Sequence, residues 1–306
     1  MTFNPTPIGL EEVSYATSGG SDSKSSLSTS VQAGRSFWRS LAPFLALIRF
    51  YLHKNYAVVL IGSLFFEGPA IPAAERALDL LKMYVSFAVC LYGGIYTMNA
   101  VTDAAEDREH PTKCARPVPS GAVSEPAAIL WSLSLIGGGY ALSYVWYGVR
   151  YFPIFSAFLA INVAYSLVFR NVRYSRFFTA ALTSPCRLAL GSMMARATIS
   201  AECFVMAYLF MVGAHSSKIR AEYNLRATSA DGFKPGALEA ATFSATAACI
   251  GMNLLGEQPN PLFCAAVVAS NLFFVVGCAC SNTVARFMYP EATVGKAAGP
   301  KGAKAE

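Results

Sequence analysis

The chain is written in long apolar blocks separated by short polar ones. Eight apolar segments lie near residues 42–66, 77–100, 125–147, 150–169, 177–195, 199–217, 237–255 and 261–288. Each is long enough for a helix to cross a bilayer, which takes roughly 17–25 residues. The runs do not alternate with a period of two, and only helices or closed barrels satisfy the backbone in lipid. The pattern therefore predicts an all-α, polytopic membrane helical bundle with 8–9 transmembrane helices. The first segment is impure, because Arg49, His53 and Lys54 fall in its first half. No short internal repeat is present. The Ser-, Thr- and Gly-rich start, residues 1–36, has no apolar h-region of a signal peptide and reads as a disordered tail. Residues 290–306 read the same way, which leaves 37–289 as one membrane domain.

Composition agrees. The chain is 54% hydrophobic and 14% charged, against about 25% charged in an average soluble domain. Its mean hydropathy is +0.42. A net charge of +6, from 24 Lys and Arg against 18 Asp and Glu, is too mild and scattered for nucleic acid. Its distribution instead sets orientation. With a cytoplasmic N-terminus, the loops after the second, fourth and sixth segments face the cytoplasm. They hold Arg108, Lys113 and Arg116; Arg170, Arg173 and Arg176; and Lys218, Arg220, Arg226 and Lys234. The opposite loops hold little beyond Arg76, Arg150 and Arg196. That asymmetry follows the positive-inside rule and places both termini in the cytoplasm. The eight cysteines form no CxxC pair and lie mostly in apolar segments, as small buried hydrophobes do.

One stretch departs from this picture: "NAVTDAAEDREHPTKCARPVPSG", Asn99 to Gly121. Steps of four residues drift only ~40° around a helix, so Asn99, Asp103 and Asp107 share a face, with Glu106 close to it. Clustered carboxylates need a positive partner, and an all-oxygen set suits Mg2+, which takes one or two carboxylates plus phosphate oxygens. Arg108, Lys113 and Arg116 follow, and "RPVPSG" folds them back. Carboxylates for a metal beside basic donors are what a diphosphate requires. A solvated loop with local salt bridges is the alternative. A second patch, Lys218, Glu222 and Arg226, repeats the four-residue spacing, where surface ion pairs are the plainer reading. Arg187 lies mid-run in "LTSPCRLALGS", where an ionisable group is costly and functional by default. With Arg49 and Lys54 these groups can converge on one polar cavity. Intramembrane charge also lines transporter pathways, but here it gathers at one face of the membrane.

At these residues the chain resembles the UbiA-type prenyltransferase superfamily. Its first motif, NDxxDxxxD followed by RPLPSG or similar, is echoed by Asn99, Asp103 and Asp107, then Arg116-Pro117 and Pro119-Ser120-Gly121. Within the superfamily "DREHPTKCARPVPSG" is most similar to the decaprenyl-phosphate phosphoribosyltransferase-like branch (DRxHPxKRxRPIASG). Lys218, Ala221 and Glu222 match that branch's KRxAE, Lys54-Asn55 its KN, and Tyr165, Ser166 and Arg187 further positions. The resemblance implies a membrane transferase that expels pyrophosphate with Mg2+. Asp103 and Asp107 would hold the metal. Asn99, Lys54, Arg108, Lys113, Arg116, Arg187, Lys218 and Arg220 would bind the substrate. No residue stands out as general base from the sequence: Glu222 and His110 are the candidates, and a cap of the turn before Pro111 is an equal reading of His110. The favoured donor is phosphoribosyl diphosphate attacked by a polyprenyl phosphate. The alternative is an allylic isoprenyl diphosphate captured by an aromatic or other lipid-soluble acceptor, or cyclised. Ala100 replaces the usual motif aspartate, and Cys114 and Ile219 stand where the branch has arginine. A 5-phosphate would then turn to Arg220, Arg226, Arg49 or Lys54. No protein partner is implied.

Overall fold

The structure is a computed structural model that describes residues 38–66, 68–110, 113–169, 172, 175–226, 234–255 and 261–288. The two tails, Arg170 and Arg173, and the side chains of Arg176, Glu222 and Arg226 lie outside what it describes. The chain divides into two compact units, Met1–Ala42 and Pro43–Glu306. The second holds the site. Among the described residues there is no strand.

Every expected apolar segment is helical. Helix α1 (Trp38–Leu47) stops at Ile48, and Arg49 takes a left-handed conformation (φ 56°). A 3-10 stretch (Phe50–Tyr56) then leads into α2 (Ala57–Leu64). The break coincides with the charges that interrupt the first apolar run. The next segment is one 30-residue helix, Ala73–Thr102. It comprises α3 (Ala73–Met83), a π-helical stretch (Tyr84–Tyr92) and α4 (Gly93–Thr102), and α5 (Ala104–Glu109) follows a turn at Asp103. Helix α6 (Glu125–Tyr147) starts at an N-cap: the Ala127 amide donates to Ser124 Oγ at 3.4 Å, with Pro126 in the first turn. Gly148 ends it at φ 64°, a conformation that side-chain-bearing residues rarely adopt. The rest are α7 (Phe152–Leu167), α8 (Ser175–Ala181), α9 (Thr183–Met194), α10 (Ala201–Arg226) and α11 (Pro235–Leu255). The last apolar segment comprises α12 (Pro261–Ser270), a π-helical stretch (Asn271–Gly277), α13 (Cys278–Cys280) and α14 (Asn282–Met288).

Fewer helices than expected are long and apolar enough to cross a membrane on their own. Among the described residues three qualify, Ala73–Thr102, Glu125–Tyr147 and Gly236–Leu255, and a fourth if the bent pair around Arg49 is one span. The difference has local causes. The fifth segment is divided at Leu182, α7 has 16 residues, α10 ends in charge, and the last segment is broken at Ser281.

The core joins sequence-distant helices. Tyr56, Val59, Phe87, Leu91, Phe155, Phe158 and Leu190 form one buried cluster from the first 3-10 stretch, α2, the first π stretch, α7 and α9. Glycines bring α2 and α9 into near backbone contact. A Cβ on Gly191 would stand 2.1 Å from the Val59 carbonyl oxygen, and one on Gly62 2.5 Å from that of Leu188. Leu130, Leu133 and Val145 project outward from α6. An apolar outer face of this kind suits a protein whose solvent is lipid.

Candidate functional site: an acidic helix face under a folded-back basic segment

The acidic face survives the turn at Asp103. The Asp103 amide donates to the Asn99 carbonyl at 2.9 Å, and the Asp107 amide donates to that of Asp103 at 2.8 Å. Helical spacing therefore continues from α4 into α5, and the three side chains stay on one face. Ser166 Oγ on α7 donates to Asn99 Oδ1 at 2.8 Å, which fixes the amide's orientation. Thr102 Oγ1 donates to Asp103 Oδ1 at 3.3 Å.

Asp107 is 2% exposed and carries the strongest local pairing. Arg116 Nη1 lies 2.7 Å from its Oδ2, and Lys113 Nζ lies 3.6 Å from its Oδ1. Apolar anchoring brings these cations back over the acidic face. Val118 and Val123 are buried against Leu47, Ala100, Ala104 and Ala128. Between them Gly121 reverses the chain at φ 79°. Its amide donates to the Val118 carbonyl at 3.0 Å, and that of Val123 to Pro117 at 2.9 Å. Lys113–Ala115 form a single 3-10 turn. The expected fold-back of "RPVPSG" is thus a valine-pinned turn.

Arg108 goes elsewhere. Its Nη2 pairs with Glu125 Oε1 at 2.6 Å in the first turn of α6, with both side chains about half exposed. His110 Nδ1 accepts from the Lys113 amide at 3.4 Å, as a cap of that turn.

Deeper in, Arg187 is buried. Its Nη1 donates to Thr183 Oγ1 at 2.9 Å, and its guanidinium stands 5.1 Å from the ring centres of both Tyr92 and Phe158. Aromatic faces and a hydroxyl thus carry a charge that lipid would reject. The Tyr92 hydroxyl contacts that of Tyr96 and accepts from Asn55 Nδ2 at 3.2 Å. Arg49 lies 5.7 Å from the Tyr96 ring centre, and its Nη2 is buried with no hydrogen-bond partner among the described residues. Tyr92 and Tyr96 precede Asn99 by seven and three residues, so they continue its helix face inward. That spacing was legible in the sequence, as was His215 three residues before Lys218, but neither carries a charge pattern that draws notice.

The patch on α10 divides. Lys218 and Arg187 both act electrostatically on His215. Ile219 is buried with Ala181, Val212, Leu238 and Ala245. Arg220 Nε and Nη2 donate to Glu239 Oε1 at 3.0 and 2.6 Å, and Nη1 donates to the Ala279 carbonyl. Arg220 thus ties α10 to α11 and α13. Lys54 is exposed.

Among the described residues no three His, Cys, Asp or Glu side chains gather closely enough to hold a metal by themselves. The acidic face fits a different kind of site. Mg2+ commonly takes only one or two carboxylates and completes its shell with phosphate oxygens and water. Asp103 and Asp107 on one face, with cations beside them, are a donor set of that sort.

The site is a helical bundle with an apolar outer face and charge gathered at the end of one helix. The chain belongs to the UbiA prenyltransferase family, whose sequence model matches residues 56–281. Nodulation protein NoeC of Azorhizobium caulinodans is 29% identical over 149 residues, 47% of this chain and 48% of that protein. The match thus spans about half of that relative's length. A UbiA homolog from Archaeoglobus fulgidus bound to GPP and Mg2+ superposes with a TM-score of 0.61 at 15% identity, covering 84% of this chain and 95% of that one. The same homolog bound to DMAPP and Mg2+ gives 0.59 at 16% identity, covering 78% and 85%. A digeranylgeranylglyceryl phosphate synthase structure gives 0.61 at 16% identity, covering 83% and 94%. The likeness is one of fold.

Proposed function

We propose that this protein is a magnesium-dependent, integral-membrane transferase that displaces pyrophosphate from an allylic isoprenyl diphosphate and passes the isoprenyl group to a lipid-soluble acceptor. The observation that carries the reading is the pairing of buried Asp107 with Arg116 and Lys113 beside Asp103 and Asn99. Acidic and basic groups neutralise one another there until a diphosphate and its metal take both. Asp103 and Asp107 would hold Mg2+, which when bound supplies charge neutralisation to the leaving group. Lys113, Arg116 and Lys218 would hold phosphate oxygens, with Asn99 fixed by Ser166 to orient a water or a metal ligand. The carbon–oxygen bond to the diphosphate breaks, and pyrophosphate keeps the electron pair. The acceptor's nucleophile closes the new bond and sheds its proton. Stabilising the departing charge is the protein's main contribution. The eight-span topology, with this site on the cytoplasmic side, belongs to the same reading.

Two observations favour an isoprenyl donor. The cation supply beside Lys218 is thin, because Ile219 is packed in an apolar cluster and Arg220 is held by Glu239. Fold neighbours hold GPP and DMAPP. The second reading, phosphoribosyl transfer to a polyprenyl phosphate, is favoured by the "DREHPTKCARPVPSG" match. A donor panel in lipid nanodiscs with Mg2+ separates them: geranyl, farnesyl, geranylgeranyl and phosphoribosyl diphosphates, each scored by pyrophosphate release. The first reading expects release from an isoprenyl donor. Release from phosphoribosyl diphosphate alone reverses the assignment, and release from none defeats both.

A further inference from the structure

One polar side chain on α7 has no task in this scheme. Asn162 stands in the apolar run "FLAINVAYS", where a carboxamide away from water is costly unless its hydrogen bonds are met. Phe158, Asn162 and Ser166 follow at four-residue steps, so they share one face of α7. Both ends of that face are pinned to the helix that carries the acidic residues. The Phe158 ring centre lies 5.5 Å from that of Tyr92, and Ser166 Oγ donates to Asn99 Oδ1 at 2.8 Å. Asn162 stands between these two contacts, ~6 Å along α7 from Ser166. Tyr96 stands between them on the facing helix.

Burial changes at this level. Phe155 and Phe158 are fully buried, and Tyr92 nearly so. Further toward the acidic face, Tyr96, Asn99, Asn162 and Ser166 all keep accessible surface, although they continue the same inward faces. The bundle interior therefore opens at the level of Asn162, just inward of Asn99.

The carboxamide has a fixed orientation. Its Nδ2 donates to the Phe158 carbonyl at 2.8 Å. A carbonyl only accepts, so the nitrogen is the bonded atom and Oδ1 is turned away from it. Among the described residues Oδ1 accepts no hydrogen bond. Whatever meets it must bring a donor. An isoprenyl chain is apolar, and an ionised diphosphate offers acceptors alone. A hydroxyl donates to Oδ1 and can accept from the second Nδ2 hydrogen. The acceptor substrate is the reactant able to carry one.

We propose that Asn162 is an acceptor-binding residue, and that the acceptor is a lipid-soluble molecule presenting a hydroxyl to its Oδ1. The inference rests on the isoprenyl-transfer reading above and adds to it the chemical class of the acceptor.

The test uses the full chain in nanodiscs with Mg2+ and the isoprenyl diphosphates named above, scored by pyrophosphate release. Para-hexylphenol and decanol serve as acceptor probes, each against its methyl ether, which has no hydroxyl hydrogen. A hydroxyl probe should stimulate release and its ether should not. That comparison is made in wild-type protein and does not depend on how a variant folds. Asn162→Leu, of similar volume, should raise the KM for the hydroxyl probe roughly 2- to 10-fold, the range for one neutral hydrogen bond, and leave the donor KM unchanged. Equal stimulation by hydroxyl and ether, stimulation by neither hydroxyl, or an unchanged acceptor KM in Asn162→Leu overturns this inference. A rise in both KM values also overturns it, and gives the residue a structural role. Donor binding to wild-type protein, by calorimetry, separates these outcomes from failure of the wider reading. Protein that binds an isoprenyl diphosphate leaves that reading standing, and protein that binds none defeats it and this inference together.

Discussion

Replacing Arg116 with Met tests the central pair, because stability and two ligand affinities should move in different directions. Asp107 is only 3% exposed at its side chain, and Arg116 meets it at 2.7 Å. Removing one partner of a fully buried pair costs about 3–5 kcal/mol. Arg116 is itself 29% exposed, and Lys113 remains 3.6 Å from the carboxylate. Solvent screening and that second cation bring the expectation down to ~2 kcal/mol. A chain of this size loses about 2–4 °C per kcal/mol, so the melting temperature should fall by ~4–8 °C at fixed scan rate. Ligand binding carries the sharper sign. Arg116 holds Asp107, and in the proposed scheme it would turn to phosphate when the donor binds. Arg116→Met should therefore weaken pyrophosphate binding while strengthening binding of Mg2+ alone, since the carboxylate has lost its tightest competitor. Calorimetry of each ligand separately reads both. If Mg2+ and pyrophosphate weaken together, Arg116 is not the exchanging partner. An unchanged melting temperature would show that the pair contributes no stability.

Asp103→Ala should abolish turnover with little change in melting temperature, whereas Asp107→Ala should abolish turnover and also lower stability, because it strands Arg116 and Lys113; pyrophosphate release and thermal scans check both. Gly191→Ala should destabilise by about 1–3 kcal/mol, since its Cβ would stand 2.1 Å from a backbone oxygen of α2; a melting temperature equal to wild type rejects that packing. Arg220→Met should lower stability and leave donor affinity within about twofold, and a sharp loss of phosphoribosyl diphosphate binding instead would restore Arg220 to the phosphate site. Ile219→Arg should expel or misfold α10 rather than tighten any donor, because the position is packed among Ala181, Val212, Leu238 and Ala245 and an unpaired buried charge is costly; soluble, stable protein with improved donor affinity contradicts it.

The helices could be read from the sequence because lipid-length apolar runs leave few alternatives. All eight segments are helical, and the acidic face keeps its register through Asp103, since four-residue spacing is a property of the helix itself. What could not be read was which way each cation points. Arg108 and Arg116 sit in the same short stretch, yet one pairs with α6 and the other with Asp107. The difference arises from Val118 and Val123, which anchor the segment by packing. Ile219 and Arg220 are consecutive, and their rotations around α10 send one into the core with α8 and α11 and the other to Glu239. Sequence shows the charge of such residues and leaves their partners to tertiary contacts. The helix breaks at Leu182 and Ser281 were hidden for a related reason. Each lies within an apolar run, where hydropathy counts composition and not backbone conformation.

A bundle with an apolar outer face can keep this many ionised groups only if each is balanced locally, because an unpaired charge away from water is expensive. The described charges around the site largely meet that condition. Asp107 is matched by Arg116 and Lys113, Glu239 by Arg220, and Glu125 by Arg108. Arg187 rests on Tyr92, Phe158 and Thr183. One group stands apart from this economy. Arg49 holds a left-handed backbone and a buried Nη2 with no partner among the described residues, and its guanidinium lies 5.7 Å from the Tyr96 ring centre. Backbone strain and unmet polar groups persist where something outside the fold compensates for them. For Arg49 the missing species is an acceptor for its Nη2–H, which a water or an oxygen of a bound ligand would supply.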